Sequence, residues 1–343
     1  MPGSYTIEQK FKSKEKVSEI LSGMPAFMQQ YADYCYGAKN SAPRTVLAYM
    51  YDHLVFLQFV ADRNHCPLKS VTTEMIANLS VQDIQSYMAY LIAYTRDGEH
   101  FSNDASARAR KISSLRGLYK WMISVNLASQ NPALLVPTPK KEKKNIVRLE
   151  NNEVREVLDG AETQNSLTAN QKKHSQKHQL RDTAILTLLL HTGMRVSECV
   201  GIDYKDVDWE HSRIRIDRKG RKEAYIYIND VVYSALADYC DNERPENGDS
   251  LDDPLFISQK GGRMTVRAVE YLVKKYTVNV VDRKITPHKL RSTYATALYR
   301  QTGDIYKVAQ VLGHESIDTT KRYADAGEQT LTDAAEDIRK AYK

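Results

Sequence analysis

Proline is concentrated at one place in this chain, and that place limits what the chain can fold into. The segment NPALLVPTPKKEKKNIVR, residues 131–148, holds Pro132, Pro137 and Pro139, then Lys140, Lys141, Lys143, Lys144 and Arg148 against a single acid, Glu142. Proline lacks the amide hydrogen that a helix or a central strand uses, so neither runs through this stretch. What lies on each side must therefore build its own core. A chain of 343 residues, 42% of them hydrophobic, has enough apolar side chains for two. We read residues 15–136 as a first domain, 137–148 as a basic linker and 149–343 as a second domain. The charge of the linker by itself fits a solvated spacer best, and it also suits a tether lying along a polyanion.

A helical period dominates the first domain. Residues 41–63 open with Ser41 as an N-cap and Pro43 in the first turn, and place Leu47, Met50, Leu54, Leu57 and Ala61 on one stripe. Ser80 and Asp83 have capping spacing ahead of IQSYMAYLIAY, and Asn103 or Asp104 can cap a helix running to about Asn126. With a helix near 25–37 this predicts a four- or five-helix bundle. In the second domain, helices are predicted at 151–160, over LRDTAILTLLLHT up to Gly193, and at 230–241, 266–277, 287–301 and 304–312. RIRID and EAYIYIN alternate apolar and polar residues around RKGRK, which predicts a β-hairpin at 213–229. Residues 161–178 form a loop or a short extra helix. The fold class is mainly α with a small β-sheet or hairpin in the second domain (α+β).

Several functions are excluded at this level. No apolar run approaches the length of a membrane span, and the polar N-terminus lacks the apolar core of a secretory signal. Cys35, Cys66, Cys199 and Cys240 are far apart, with no pair at zinc-ligand spacing, so neither a metal site nor a disulfide framework is expected. These features predict a soluble cytoplasmic protein without membrane partners. The net charge of +6 favours an anionic partner.

Chemistry-bearing residues gather toward the C-terminus. His288 and Arg291 lie three apart behind Thr286-Pro287, a helix start, so one helical face presents both. Gly313-His314 and Tyr323 follow, Arg195 stands just past Gly193, and Lys219 and Lys222 flank Gly220 in the hairpin turn. Two arginines, two histidines, a lysine and a tyrosine are what phosphoryl transfer without a metal needs. Guanidinium forks bind the non-bridging oxygens, a phenol attacks phosphorus, and a lysine or histidine protonates the leaving hydroxyl. Singly, each has a plainer reading: His288 as a surface or core histidine, Gly313 as a helix C-cap, Tyr323 as one of 22 tyrosines. The ordered set is far more specific than its members.

That set, TGMRVSE at 192–198, the RKG hairpin, HKLR, LGHES and Tyr323, resembles the catalytic domain of the tyrosine recombinase (phage integrase) family over residues 149 to about 325, closest to its Xer-type members. The helical first half, with Thr45 and Tyr49 in a T-x-x-x-Y pattern, is similar to that family's core-binding domain. The resemblance implies two domains closing as a C-shaped clamp on DNA. It also implies that Arg195 and Arg291 hold the scissile phosphate, His314 hydrogen-bonds it, His288 assists proton transfer, Lys219 is the general acid and Tyr323 forms a 3′-phosphotyrosyl link. Lys222 stays a rival to Lys219, since a slip in hairpin register would exchange them. Glu198 sits where the family has a supporting acid; a carboxylate favoured at a helix N-terminus is the plainer account. Two departures stand out: Ser292 follows Arg291 where many relatives have histidine, and residues 161–178 look inserted.

The implied partner is double-stranded DNA carrying a specific recombination site, bound by a homotetramer on two synapsed sites that passes through a Holliday junction, with no cofactor and no metal. The sequence leaves open the target site, the biological task, including chromosome segregation, and any accessory proteins. A type IB topoisomerase or resolvase would share the chemistry, and an inactive DNA-binding protein would share the fold. Arg108, Arg110, Lys111, Arg116 and Lys120 lie on one helix whose other face holds Leu115, Leu118, Tyr119 and Trp121, as in a helix laid against a duplex; a solvated face over an apolar core fits equally. Leu331, Ala334, Ala335, Ile338 and Ala341 form a stripe in 327–343, which the resemblance makes a helix exchanged with a neighbouring protomer, with packing on its own chain as the alternative.

Overall fold

A computed structural model of the chain describes residues 4–96, 98–140, 146–165, 172, 176–218, 222–245, 253–314, 316–321 and 323. The chain divides into two compact units, one spanning Tyr5–Lys143 and the other beginning at Lys144.

The first unit is built from α1 (Ser4–Ser22), α2 (Phe27–Gly37), α3 (Pro43–Arg63), α4 (Thr73–Ala77), α5 (Val81–Tyr90), the strands β1 (Ala93–Arg96) and β2 (Glu99–Ser102), and α6 (Ala105–Ser124). Local chemistry sets the helix starts. Pro43 occupies the first turn of α3 behind Ala42, which takes the cap position expected of Ser41. Ser80 and Asp83 form a reciprocal capping box on α5. The Asp104 carboxylate accepts from the Ala107 amide at 2.8 Å and opens α6. The apolar stripes of these helices meet around Tyr31, Phe56, Tyr87, Tyr119 and Trp121, all buried. A fully buried side chain of this size contributes about 1.5–3 kcal/mol.

Two expectations for this unit are corrected. The helix predicted through IQSYMAYLIAY stops at Tyr90, and Ala93–Arg96 turns into a strand paired with Glu99–Ser102. The first unit is thus not purely helical. Gly98, at φ +79°, supplies the left-handed residue that the reversal requires. The basic face of α6 also loses a member. Lys111 is buried and donates to Asp52 at 3.1 Å, whereas Arg110 pairs with the other oxygen of the same carboxylate and stays exposed. Arg116 donates to the carbonyls of Ala133 and Val136 and to Thr138, tying the chain after α6 back onto it. A buried carboxylate needs such partners, because an unpaired one costs several kcal/mol. Beside it His53 is buried, with its Nε2 at 3.3 Å from Ser114 Oγ.

The second unit comprises α7 (Asn151–Thr163), α8 (Gln179–Thr192), α9 (Val196–Gly201), β3 (Val207–Asp208), β4 (Arg213–Arg218), β5 (Lys222–Tyr227), α10 (Asp230–Asn242), α11 (Val266–Thr277), α12 (Pro287–Thr302), α13 (Ile305–Leu312) and α14 (Asp318–Lys321). Helix α8 is buried continuously from Arg181 to Leu190 and packs against α7, α10 and α12. Its charged residues are matched inside: Asp182 accepts from Arg181 and from Lys275, the latter at 2.6 Å, while Glu243 caps the helix start at the Leu180 amide. The predicted hairpin gains a third strand, giving an antiparallel sheet ordered β3-β4-β5. Its register sets Ile214 opposite Ile226 and Arg218 opposite Lys222. Of the segment expected to be a loop or a short helix, residues 161–163 extend α7 and 176–178 form a single helical turn. No helix among the described residues is long and apolar enough to cross a membrane.

Candidate active site

The site is organised by one helix end. Helix α13 closes at Gly313, where φ is +63°. The last carbonyls of any helix lack intrahelical partners and carry the negative end of its dipole, so cations are stabilised there. Three guanidinium groups from three other elements converge on these carbonyls. Arg291, one turn into α12, donates through Nη2 to Leu312 O at 2.6 Å and through Nη1 to Gly193 O at 2.7 Å. Arg195, the residue before α9, points Nη2 at Gly313 O at 3.5 Å. Arg218, the last residue of β4, donates through Nη2 to Val311 O at 2.9 Å.

Each arginine is held by its neighbourhood. Gly193 ends α8 in the left-handed conformation that aims its carbonyl at Arg291, and a Cβ there would lie 2.4 Å from Tyr294 Cδ1. Glu198 bridges the Arg195 backbone amide and the Arg195 guanidinium, both at 2.7 Å, so the acid fixes the direction in which Arg195 leaves the chain. Arg291 is 4% exposed. Burial, followed by the charge of Arg195, pushes its guanidinium down to about 10. It stays protonated at neutral pH, and an anion entering the site would offset the repulsion from Arg195.

His314 follows Gly313 directly. Its Nδ1 lies 2.8 Å from the hydroxyl of Thr320, a fully buried residue. Its ring lies nearly parallel to that of Tyr323, with centroids 6.4 Å apart and 17° between planes. Tyr323 is buried among Ala295, Val308 and Leu312, and its backbone amide donates to Thr320 O at 2.9 Å. Thr320 thus touches the histidine with its side chain and the tyrosine with its main chain. Arg291 feels Tyr323 electrostatically, a phenolate there favouring the charged guanidinium.

Of the predicted site residues, Arg195, Glu198, Arg291, His314 and Tyr323 come together in this way. His288 occupies the exposed start of α12, one turn before Arg291. Lys219 and the rest of the hairpin turn lie outside the described residues, as do Lys141, Lys143, Lys144 and 324–343, with the predicted exchanged helix. Lys222 begins β5, and its side chain is likewise outside. In the first unit Lys120 and Lys140 are exposed and Arg108 is half-buried. Arg218 and Thr320 are additions that the sequence reading missed. A basic turn displays charge without showing which cation folds back, and a threonine pair carries no motif spacing of its own.

Comparison with known proteins agrees in both units. Residues 147–330, more than half of the chain, match the phage integrase family, and residues 28–126 match the phage integrase N-terminal SAM-like domain. The chain is 30% identical over 324 residues to the tyrosine recombinase XerC of Caldanaerobacter subterraneus, covering 90% of this chain and 86% of that one. It is 28% identical over 315 residues to the XerC of Leptospira interrogans, covering 92% of each. Among solved structures, the fold is similar to XerH site-specific recombinase bound to a palindromic difH substrate, with a TM-score of 0.64, 21% identity and coverage of 94% of this chain and 88% of that one. It is also similar to a lambda integrase dimer bound to a COC′ core site, with a TM-score of 0.62, 14% identity and coverage of 90% and 80%.

Proposed function

The chain belongs to the phage integrase family, and on that premise we propose that Tyr323 is the nucleophile with which it opens DNA. The enzyme is a tyrosine-type site-specific recombinase. In the first step the Tyr323 hydroxyl oxygen bonds to the scissile phosphorus, the bond from phosphorus to the 5′ oxygen breaks, the phenolic proton leaves, and the 5′ oxygen takes up a proton. The protein is then esterified to the 3′ phosphate. One phosphoester has replaced another, so a 5′ hydroxyl from a second duplex reverses the step without a nucleotide cofactor.

The observation that carries this reading is the convergence of Arg195, Arg291, His314 and Tyr323 at the end of α13. Charge builds on the non-bridging oxygens as phosphorus becomes five-coordinate, and preoriented donors stabilise it without reorganising. Arg195 and Arg291 serve as that clamp and His314 as a further donor. Glu198 keeps Arg195 aimed, Lys219 protonates the leaving oxygen, and His288 assists proton transfer. Arg108, Arg110, Lys120 and Lys140, with Lys141, Lys143, Lys144 and Lys222, contact phosphates along the duplex. Two synapsed sites are held by four protomers, linked through 327–343, in the cytoplasm where the DNA lies.

A suicide substrate, nicked so that religation is impossible, tests the nucleophile. Wild-type protein is expected to form a denaturation-resistant adduct. Tyr323→Phe should form none while its DNA affinity stays within about threefold, under 1 kcal/mol, because one hydroxyl among many phosphate contacts is lost. An adduct formed by the Phe variant would assign the chemistry to another tyrosine, with Tyr306 and Tyr342 next in line.

A further inference from the structure

We propose that Arg218 is a positioning residue for strand cleavage: by fastening the end of β4 to the carboxyl end of α13, it sets where the adjoining turn delivers Lys219. The inference rests on the reading of Lys219 as general acid given above.

Four observations carry it. Arg218 reaches across the fold to Val311 O at 2.9 Å and toward Gln310 O at 3.5 Å, two carbonyls of the helix end that also receives Arg291 and Arg195. Its guanidinium also lies flat against Gly313. A Cβ at that position would stand 2.2 Å from Nη1, 2.5 Å from Cζ and 2.8 Å from Nε, so any larger residue would displace the guanidinium from this place, besides the strain of a φ of +63°. In addition, Arg218 is the last paired residue of β4, opposite Lys222, so the anchor sits at the base of the turn and Lys219 is the next residue. Finally, Arg218 brings a third positive charge toward Arg195 and Arg291. The helix end favours that charge and its two like neighbours oppose it, and the contact ties the hairpin to the helix that carries the clamp. The hairpin, both clamp arginines and His314 are thereby referenced to a single helix end.

Single-turnover cleavage of two suicide substrates, one with oxygen and one with sulfur at the 5′ bridging position of the scissile phosphate, tests the assignment. Sulfur leaves as a thiolate and needs no proton. Misplacing a reacting group by about 1 Å costs on the order of 10²-fold. Arg218→Ala is therefore expected to slow cleavage of the oxygen substrate by about that factor, with the sulfur substrate cleaved at close to the wild-type rate. Arg218→Lys, whose ammonium makes point contacts rather than a fork, should show a smaller, equally rescued defect and covers the case in which the Ala variant folds poorly. Equal slowing of both substrates by Arg218→Ala and Arg218→Lys, with Lys219→Ala rescued by sulfur, would make Arg218 a phosphate ligand or a purely structural residue and overturn the proposal. Normal cleavage of the oxygen substrate by Arg218→Ala would overturn it as well. Failure of sulfur to rescue Lys219→Ala would instead remove the general-acid reading, and the role of Arg218 would fall with it.

Discussion

At the scale of single residues, the site depends on groups that hold other groups. Thr320 is the clearest case: its hydroxyl fixes the His314 ring through Nδ1, and its carbonyl receives the Tyr323 amide. Thr320→Val keeps the shape and removes the hydroxyl. We expect cleavage to slow by about tenfold, the worth of one hydrogen bond of roughly 1–1.5 kcal/mol, with DNA affinity unchanged and with Thr320→Ser restoring the rate. Equal rates for the Val and Ser variants would show that the hydroxyl does not position His314. The residues legible in the sequence were those in motifs: Arg195, Arg291 and His314 stand beside a helix start or a glycine, whereas Tyr323, one of 22 tyrosines, was marked only by the family resemblance. Thr320 and Arg218 act through contacts made only after the chain folds back on itself, and no local pattern marks them. Lys111 shows the opposite error, since charge on a helix was read as exposure when the burial of Asp52 had claimed it.

At the scale of elements, capping chemistry made most helices legible, and α5 and α6 start where Ser80 and Asp104 place them. The pair β1 and β2 was not legible, because IQSYMAYLIAY continues the helical period beyond the point where the chain has already turned toward Gly98. Two glycines with similar backbones separate conformational cost from packing cost. Gly98 and Gly193 have φ of +79° and +62°, yet a Cβ at Gly98 meets nothing within 4 Å, whereas one at Gly193 would collide with Tyr294 and press on Leu312. Gly98→Ala should therefore lose only the left-handed penalty, about 1–2 kcal/mol in urea unfolding. Gly193→Ala should lose that and, in addition, an overpacking cost of about 1–3 kcal/mol, and should also weaken cleavage, because the Gly193 carbonyl orients Arg291. Equal losses for the two variants would refute the close packing around Gly193.

At the scale of the whole molecule, the two units differ in what they contribute and in how they respond to acid. The first unit buries His53, whose burial, aided by the charge of Lys111, lowers its titration from 6.5 to about 3. The unfolded chain takes up this proton as pH falls below 6.5 and the folded chain does not, so stability is full above that pH and declines beneath it. The slope approaches about 1.4 kcal/mol per pH unit, and it is cleanest between 6.5 and about 5, above the carboxylate range. Calorimetry of the full chain should show the melting temperature of the first unit falling over that interval, with His53→Gln flattening the fall; an unchanged pH profile in the variant would contradict it. The second unit carries the chemistry, and the identity of the residue joined to DNA tests that account most directly. Protein trapped on a suicide substrate can be digested with nuclease and trypsin and the nucleotide-bearing peptide identified by mass spectrometry. Cleavage after Arg322 should yield a peptide that begins at Tyr323 and carries a 3′-linked nucleotide on its phenol. A nucleotide on any other tyrosine, or one attached through its 5′ phosphate, would contradict the assignment.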